Sequence, residues 1–272
     1  MSILLSAYYP EGIVFVADKN ATISHIPSMG SKRYVEATAT KVLSWPRQKA
    51  IIGFVGLGML AGLPLYEWMR VFIASTRNFK DIAKLAYKLK DAIQQDFQID
   101  YPDGTDISDC QLIIHLGGFI KKQGVHVPVM FHIWNHAGID TKTGRYPPGE
   151  RRFNISEDVK GSFETWPNPD DYPKRVRNRL QNMIDERRYF WFNNGAYIGA
   201  FNVFKDFIWQ ALQLIQDAGF AKRYKEIGAR VAFCKMAVEV FGAYFTHHYF
   251  PEDRLVGGGI DVAYIPWPEN AA

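Results

Sequence analysis

Two short apolar runs open the chain, Ile3 to Tyr9 and Ile13 to Ala17, separated by Pro10, Glu11 and Gly12. β-branched and aromatic residues on both sides of a Pro-Glu-Gly turn predict a β-hairpin. With Pro10 and Glu11 as the central turn residues, Tyr9 faces Gly12 and facing residue numbers sum to 21. That register sets Asp18 opposite Ile3 and Lys19 opposite Ser2. Facing residues lie roughly 4.5 to 5.5 Å apart, so the pattern alone carries an acid to the start of the chain.

A polar stretch over 23–40 reads as a loop with one short strand. Lys41 to Trp45 and Ala50 to Gly56, joined across Pro46 and its polar neighbours, read as a second hairpin and complete a four-strand meander. Helical periodicity follows from Leu57 to Thr76 and from Phe79 to Phe97, with Asn78 as cap. Strands are expected at Cys110 to Phe119, at Val125 to Trp134 and around Ala137 to Ile139. Residues 140–190 are rich in Pro and charge and read as an inserted surface excursion with one short helix. A strand at Trp191 to Ala196, helices at Phe201 to Ala218 and Tyr224 to His247, and a closing strand at Val256 to Ile265 complete the order. Strands, two helices, strands, two helices and a strand predict an α+β fold. The expected form is a four-layer αββα sandwich, a single domain over 1–272 with the excursion at about 140–190.

Composition narrows the function. With 47% hydrophobic and 15% aromatic residues, 272 residues supply ample core. A net charge of +4, with basic residues scattered among acids, does not point to nucleic acid, and the stretch Lys174 to Arg188 is broken by Asp185 and Glu186. Cys110 and Cys234 sit in apolar contexts without metal-ligand spacing, so both are expected as buried thiols of a cytoplasmic protein. No apolar run reaches membrane-spanning length and the N-terminal run lacks a basic leader, so neither a membrane span nor a signal peptide is expected.

Ser2 is the first chemical candidate. A small residue after the initiator Met is what Met-removing aminopeptidases accept, and a terminal Ser would carry a hydroxyl nucleophile beside its own base, an α-amine titrating near pKa ~7.7 to 8.0. The other reading is an ordinary strand residue. Gly56, Gly58 and Gly62 suggest a dinucleotide-binding turn, but their spacing is one residue too long, and Pro64 falls at the expected helix start. What remains is backbone N–H groups at a strand-to-helix junction, the donors that an oxyanion hole uses. His132 and His136, with Asp140 beyond, are four apart; on a strand that spans roughly 13 Å, too far for one ion. No metal and no cofactor are expected.

Several segments together resemble the proteasome-like branch of the N-terminal nucleophile hydrolases. Gly12 to Thr22, with Asp18 and Lys19, matches that family's strand segment at the same spacing from Ser2. Lys41-Val42 fits its Lys-led strand, Gly56 its oxyanion glycine, and Asp253 with Gly257 and Gly258 its C-terminal Asp and glycines. The resemblance implies that Ser2, exposed by loss of Met1, is the nucleophile of an amide or peptide hydrolase. It also implies that Lys41 is an ammonium lowering the proton affinity of Ser2, that Asp18 holds Lys41 charged, that Gly56 supplies the oxyanion N–H, and that Asp253 belongs to the site. A peptide or small amide substrate and a homo-oligomer, in some forms a ring, are implied as partners. Val256 and Ala196 stand where the family carries serines that support the nucleophile's amine. A second reading therefore stays open, a catalytically inactive proteasome-like subunit with a structural or assembly role.

Overall fold

The computed structural model describes residues 3–9, 11–22, 36–46, 49–77, 79, 81–102, 111–122, 125–135, 153–158, 190–195, 227–248 and 259–268. It is an α+β fold built on antiparallel sheets. Strands β1 (Ile3–Tyr9) and β2 (Gly12–Asp18) pair with Tyr9 on Gly12 and Leu4 on Ala17, the register read from the turn. They form the centre of a four-stranded sheet. β12 (Phe190–Gly195) adds to β1, and β13 (Ile260–Pro266) adds to β2.

The expected meander divides instead. β5 (Val42–Trp45) and β6 (Ala50–Gly56) pair as a hairpin but belong to a second sheet, in the order β11-β10-β9-β6-β5. Its other members are β9 (Leu112–Lys122), β10 (Val125–Trp134) and β11 (Asn154–Asp158). A ribbon of β3 (Asn20–Thr22) on β4 (Glu36–Thr38) lies between the two hairpins in the chain. The physical reason is burial: every residue of β1 and β2 is buried, which requires apolar partners on both faces of that hairpin. β11 also changes the reading of residues 140–190, since part of that stretch extends the second sheet through pairing with β10. The strand expected around 137–139, the short helix within 140–190 and the helix expected over 201–218 lie outside the described residues.

Three apolar clusters organise the packing. Leu4, Tyr8, Ile13 and Phe15 of the first sheet meet Ile51, Val55, Ile113 and Met130 of the second. Gly117 permits this approach, because a Cβ there would lie 2.6 Å from both the Phe15 ring and the Tyr8 hydroxyl. The opposite face of the first sheet packs Ile3, Leu5, Val14 and Val16 against Phe233, Val238 and Phe241 of helix α3 (Ile227–His248). The opposite face of the second sheet packs against α1 (Leu65–Ser75) and α2 (Ile82–Asp100), through Met69, Phe72, Leu89 and Ile93.

Both helix starts differ from the periodicity. A two-stranded ribbon, β7 (Met59–Leu60) on β8 (Leu63–Pro64), occupies the stretch before α1. Ala61 and Gly62 at positive φ, followed by Pro64, explain why the helix waits until Leu65. Asp81, not Asn78, caps α2, its carboxylate accepting from the N–H groups of Ala83 and Lys84. α3 is tied to the β1–β2 turn by Arg230, which is buried with its guanidinium 4.8 Å from the centre of the Tyr9 ring and its Nε 3.1 Å from Glu11.

A polar pair of side chains bridges the inter-sheet core. The Ser6 hydroxyl of β1 lies 2.7 Å from His115 Nδ1 of β9, with the Phe15 and His132 rings edge-on to the imidazole. Burial first, and the neighbouring His132 second, hold His115 well below the ordinary imidazole range. Unfolding therefore binds a proton that the native site refuses, so stability falls as the medium is acidified below the unfolded value of about 6.5. Urea unfolding between pH 7.5 and 5.5 is expected to show a loss steepening toward about 1.4 kcal/mol per pH unit. A flat profile over that interval would contradict the assignment.

Candidate active site

The end of β2 carries Asp18 and the start of β1 carries Ile3, brought side by side by the hairpin register. The Ile3 N–H donates to Asp18 Oδ1 at 2.7 Å, and the same oxygen accepts from Lys41 Nζ at 3.2 Å. Asp18 is fully buried and Lys41 is 3% exposed. An isolated ammonium taken from water would cost several kcal/mol, so the carboxylate is what makes its burial tolerable. Burial nevertheless dominates: Lys41 titrates below its ordinary range, with Asp18 and then Asp261 pulling it partly back.

Lys41 immediately precedes β5, so it belongs to the second sheet while its partner Asp18 belongs to the first. Its main chain is fixed on both sides. The Phe54 N–H of β6 donates to the Lys41 carbonyl at 3.0 Å, and the Lys41 N–H donates to Asp261 Oδ2 of β13 at 2.6 Å. The other oxygen of Asp261 is 3.2 Å from Lys19 Nζ. The Lys19 N–H meets the Gly259 carbonyl at 3.0 Å, where β13 begins.

Gly56 ends β6, two residues beyond the Phe54 that holds Lys41, and is exposed. Its φ of 107° is a conformation that glycine alone adopts comfortably. The next amide, Leu57 N–H, is engaged by the Gln111 carbonyl at 2.8 Å. The glycine run therefore leads into the β7–β8 ribbon and does not open a helix. Ser2 and Asp253 lie outside the described residues, although Ser2 is bonded directly to the Ile3 nitrogen that rests on Asp18.

Of the residues expected from sequence, the structure thus brings Asp18 and Lys41 into contact and sets Gly56 at the same end of the second sheet. No sequence motif assigns a role to Asp261, and Lys19 enters only as part of the matched strand segment. A signal existed in Ile260-Asp261-Val262-Ala263, where a carboxylate occupies an alternating position in an apolar strand. Asp261 shares its sheet face with Ala263, which packs toward the second sheet. Cys234 offers no competing nucleophile: burial pushes its thiol up to about 12, against the Tyr9 hydroxyl at 3.2 Å. Among the described residues no group of three His, Cys, Asp or Glu side chains could hold a metal, and no helix is long and apolar enough to cross a membrane. His136 and Asp140 lie outside the described residues.

No family model matches the chain, and no curated protein matches it. Among solved structures it is similar to Anbu (ancestral beta-subunit) from Yersinia bercovieri, at 12% identity and a TM-score of 0.47, over 97% of this chain and 81% of that one. It is also similar to an Anbu mutant from Hyphomicrobium sp. strain MC1, at 14% identity and TM-score 0.46, over 98% and 84% of the two chains. A third structure, the helical assembly of the Anbu complex from Pseudomonas aeruginosa, has 9% identity and TM-score 0.30, over 82% of this chain and 95% of that one. These findings correct the resemblance to the proteasome-like branch of the N-terminal nucleophile hydrolases. That resemblance rested on short segments around Asp18, Lys41, Gly56 and Asp253. Over the whole chain the likeness is to Anbu proteins, and a distant one.

Proposed function

We propose that this chain hydrolyses amide bonds, in peptides or small molecules, with Ser2 as nucleophile after removal of Met1. The observation that carries the reading is the buried Asp18 carboxylate, which receives both the Ile3 amide and the Lys41 ammonium. The chemistry follows from the residue types. The Ser2 oxygen bonds to the substrate carbonyl carbon as its proton passes to the α-amine, and the Gly56 N–H meets the oxygen that gains charge. The C–N bond then breaks as the departing amine takes that proton, leaving an ester on Ser2. Water, deprotonated by the α-amine, cleaves the ester and restores the hydroxyl. Lys41 lowers the proton affinity of Ser2 throughout, Asp18 holds it in place, and Asp253 is assigned a supporting role. The proposed frame is a single-domain, four-layer αββα sandwich, supported by the three apolar clusters that alternate with helices and sheets.

A second reading is a catalytically silent subunit of a homo-oligomer. It is supported by Val256 and Ala196 at positions read as supporting serines, and by the exposed apolar side chains Val71 on α1, Ile99 on α2 and Val240 on α3. Intact-mass measurement separates the two. The hydrolase requires a chain lighter by Met1, a mass adduct on Ser2 after treatment with a peptide β-lactone, and no adduct in Ser2→Ala. Retained Met1 overturns the hydrolase reading and leaves the subunit.

A further inference from the structure

We propose that Asp261 is a positioning residue for Lys41, fixing that side chain's charge and its place between the two sheets; the inference rests on the hydrolase reading. The geometry is specific. Asp261 sits on β13 of the first sheet, opposite Ala17, while Lys41 immediately precedes β5 of the second. One carboxylate oxygen takes the Lys41 N–H at 2.6 Å and the other takes Lys19 Nζ at 3.2 Å. A carboxylate at a main-chain amide fixes the backbone from which a long side chain swings, and here it does so across the inter-sheet boundary. The Phe54 N–H on the Lys41 carbonyl supplies the opposite restraint, so the residue is gripped from both sheets.

The charges that meet Lys41 among the described residues come from both sheets. Asp18 of β2 contacts its ammonium, Asp261 of β13 stands at its main chain, and Lys19, 35% exposed at its side chain, neutralises part of Asp261. Asp18 and Asp261 divide the work. The first contacts the ammonium directly, and the second holds its backbone and adds negative charge behind it. Lys19 regulates that second contribution from the solvent edge. Loss of the Asp261 charge should make Lys41 easier to deprotonate, and loss of Lys19 should make it harder.

The test follows Lys41 in the intact chain by the 13Cε and 15Nζ resonances of its ammonium across a pH series. In Asp261→Asn, which keeps an oxygen for the Lys41 amide, the midpoint is expected to fall, and in Asp261→Glu to return part of the way toward the native value. In Lys19→Gln the midpoint is expected to rise. Lys19 is 35% exposed at its side chain, so Lys19→Gln should fold where Asp261→Asn does not, but its rise reports only the Lys19 charge. There the Asp261 contribution is read from Asp261→Glu, and a midpoint unmoved from the native value in Asp261→Glu would overturn the proposal. The second readout is the rate of Ser2 acylation by a peptide β-lactone against pH. Its alkaline limb should move with the Lys41 midpoint, while the saturation constant for the lactone stays unchanged. Lys41 midpoints unmoved in Asp261→Asn and Lys19→Gln would overturn the proposal. Midpoints that move as stated, in a native chain that the lactone never acylates, would uphold the role of Asp261 and overturn the hydrolase reading instead.

Discussion

Asp18→Ala is expected to lower the stability of the chain by about 3 to 5 kcal/mol and to abolish acylation at Ser2. The size follows from what the carboxylate does: with no exposure of its own, it is the direct ion-pair partner of an ammonium that is itself almost wholly buried. Removal takes the Asp18 contact at 3.2 Å from the Lys41 charge and the acceptor at 2.7 Å from the Ile3 N–H. Each loss is of the kind that exceeds the value of the bond formed, because desolvation has already occurred. Lys41 then has two responses, to release its proton or to swing toward water, and either one removes the charge beside the chain's start. Asp18→Asn separates the terms, since it keeps an oxygen for Ile3 but not the charge for Lys41. It should recover part of the stability and little of the acylation. Urea midpoints of the two variants, read beside the Ser2 adduct rate, check this. An Asp18→Ala chain as stable as the native one would show that the pair is solvated in solution.

The same pair marks how far the sequence could be read. A Pro-Glu-Gly sequence between two apolar runs predicts a short turn, and a short turn sets the register that β1 and β2 show, so the approach of Asp18 to Ile3 was available from the order of residues alone. The pairing of β5 with β6 was available for the same reason. The separation of these two hairpins into different sheets was not, because an apolar run declares that it is buried without naming what buries it. Lys41 illustrates the consequence. Its motif position suggested a partner for Asp18, while the partner of its own amide lies 220 residues further on, in β13. Such a pairing is specified by the tertiary fold, through the alignment of β13 on β2, and has no local signature beyond one acid in an apolar strand. The cap of α2 failed in a smaller way. Asn78 and Asp81 are both competent caps by type, and the observed helix start, not the propensity, chooses Asp81.

Gly56→Ala is expected to be the most damaging single-methyl addition in the candidate site, costing more than about 3 kcal/mol and removing activity with the fold. Two penalties coincide there. The backbone has a φ of 107°, which an L side chain rarely adopts, and an added Cβ would lie 1.9 Å from the Gln111 carbonyl oxygen and 2.8 Å from its carbon. Neither atom can rotate away, because both are main chain at the entry to β9, and that oxygen already accepts the Leu57 N–H. Gly62→Ala supplies the control. Its φ of 72° carries the conformational penalty, but nothing lies within 4 Å of the added Cβ. A loss of only about 1 kcal/mol is expected there. Thermal unfolding of both variants measures the difference, which is the part of the Gly56 requirement imposed by close approach. Equal losses at the two positions would mean that the β6–β9 contact at Gln111 yields to a methyl group. The end of β6 would then lack the rigidity that aiming an N–H at a reacting oxygen demands.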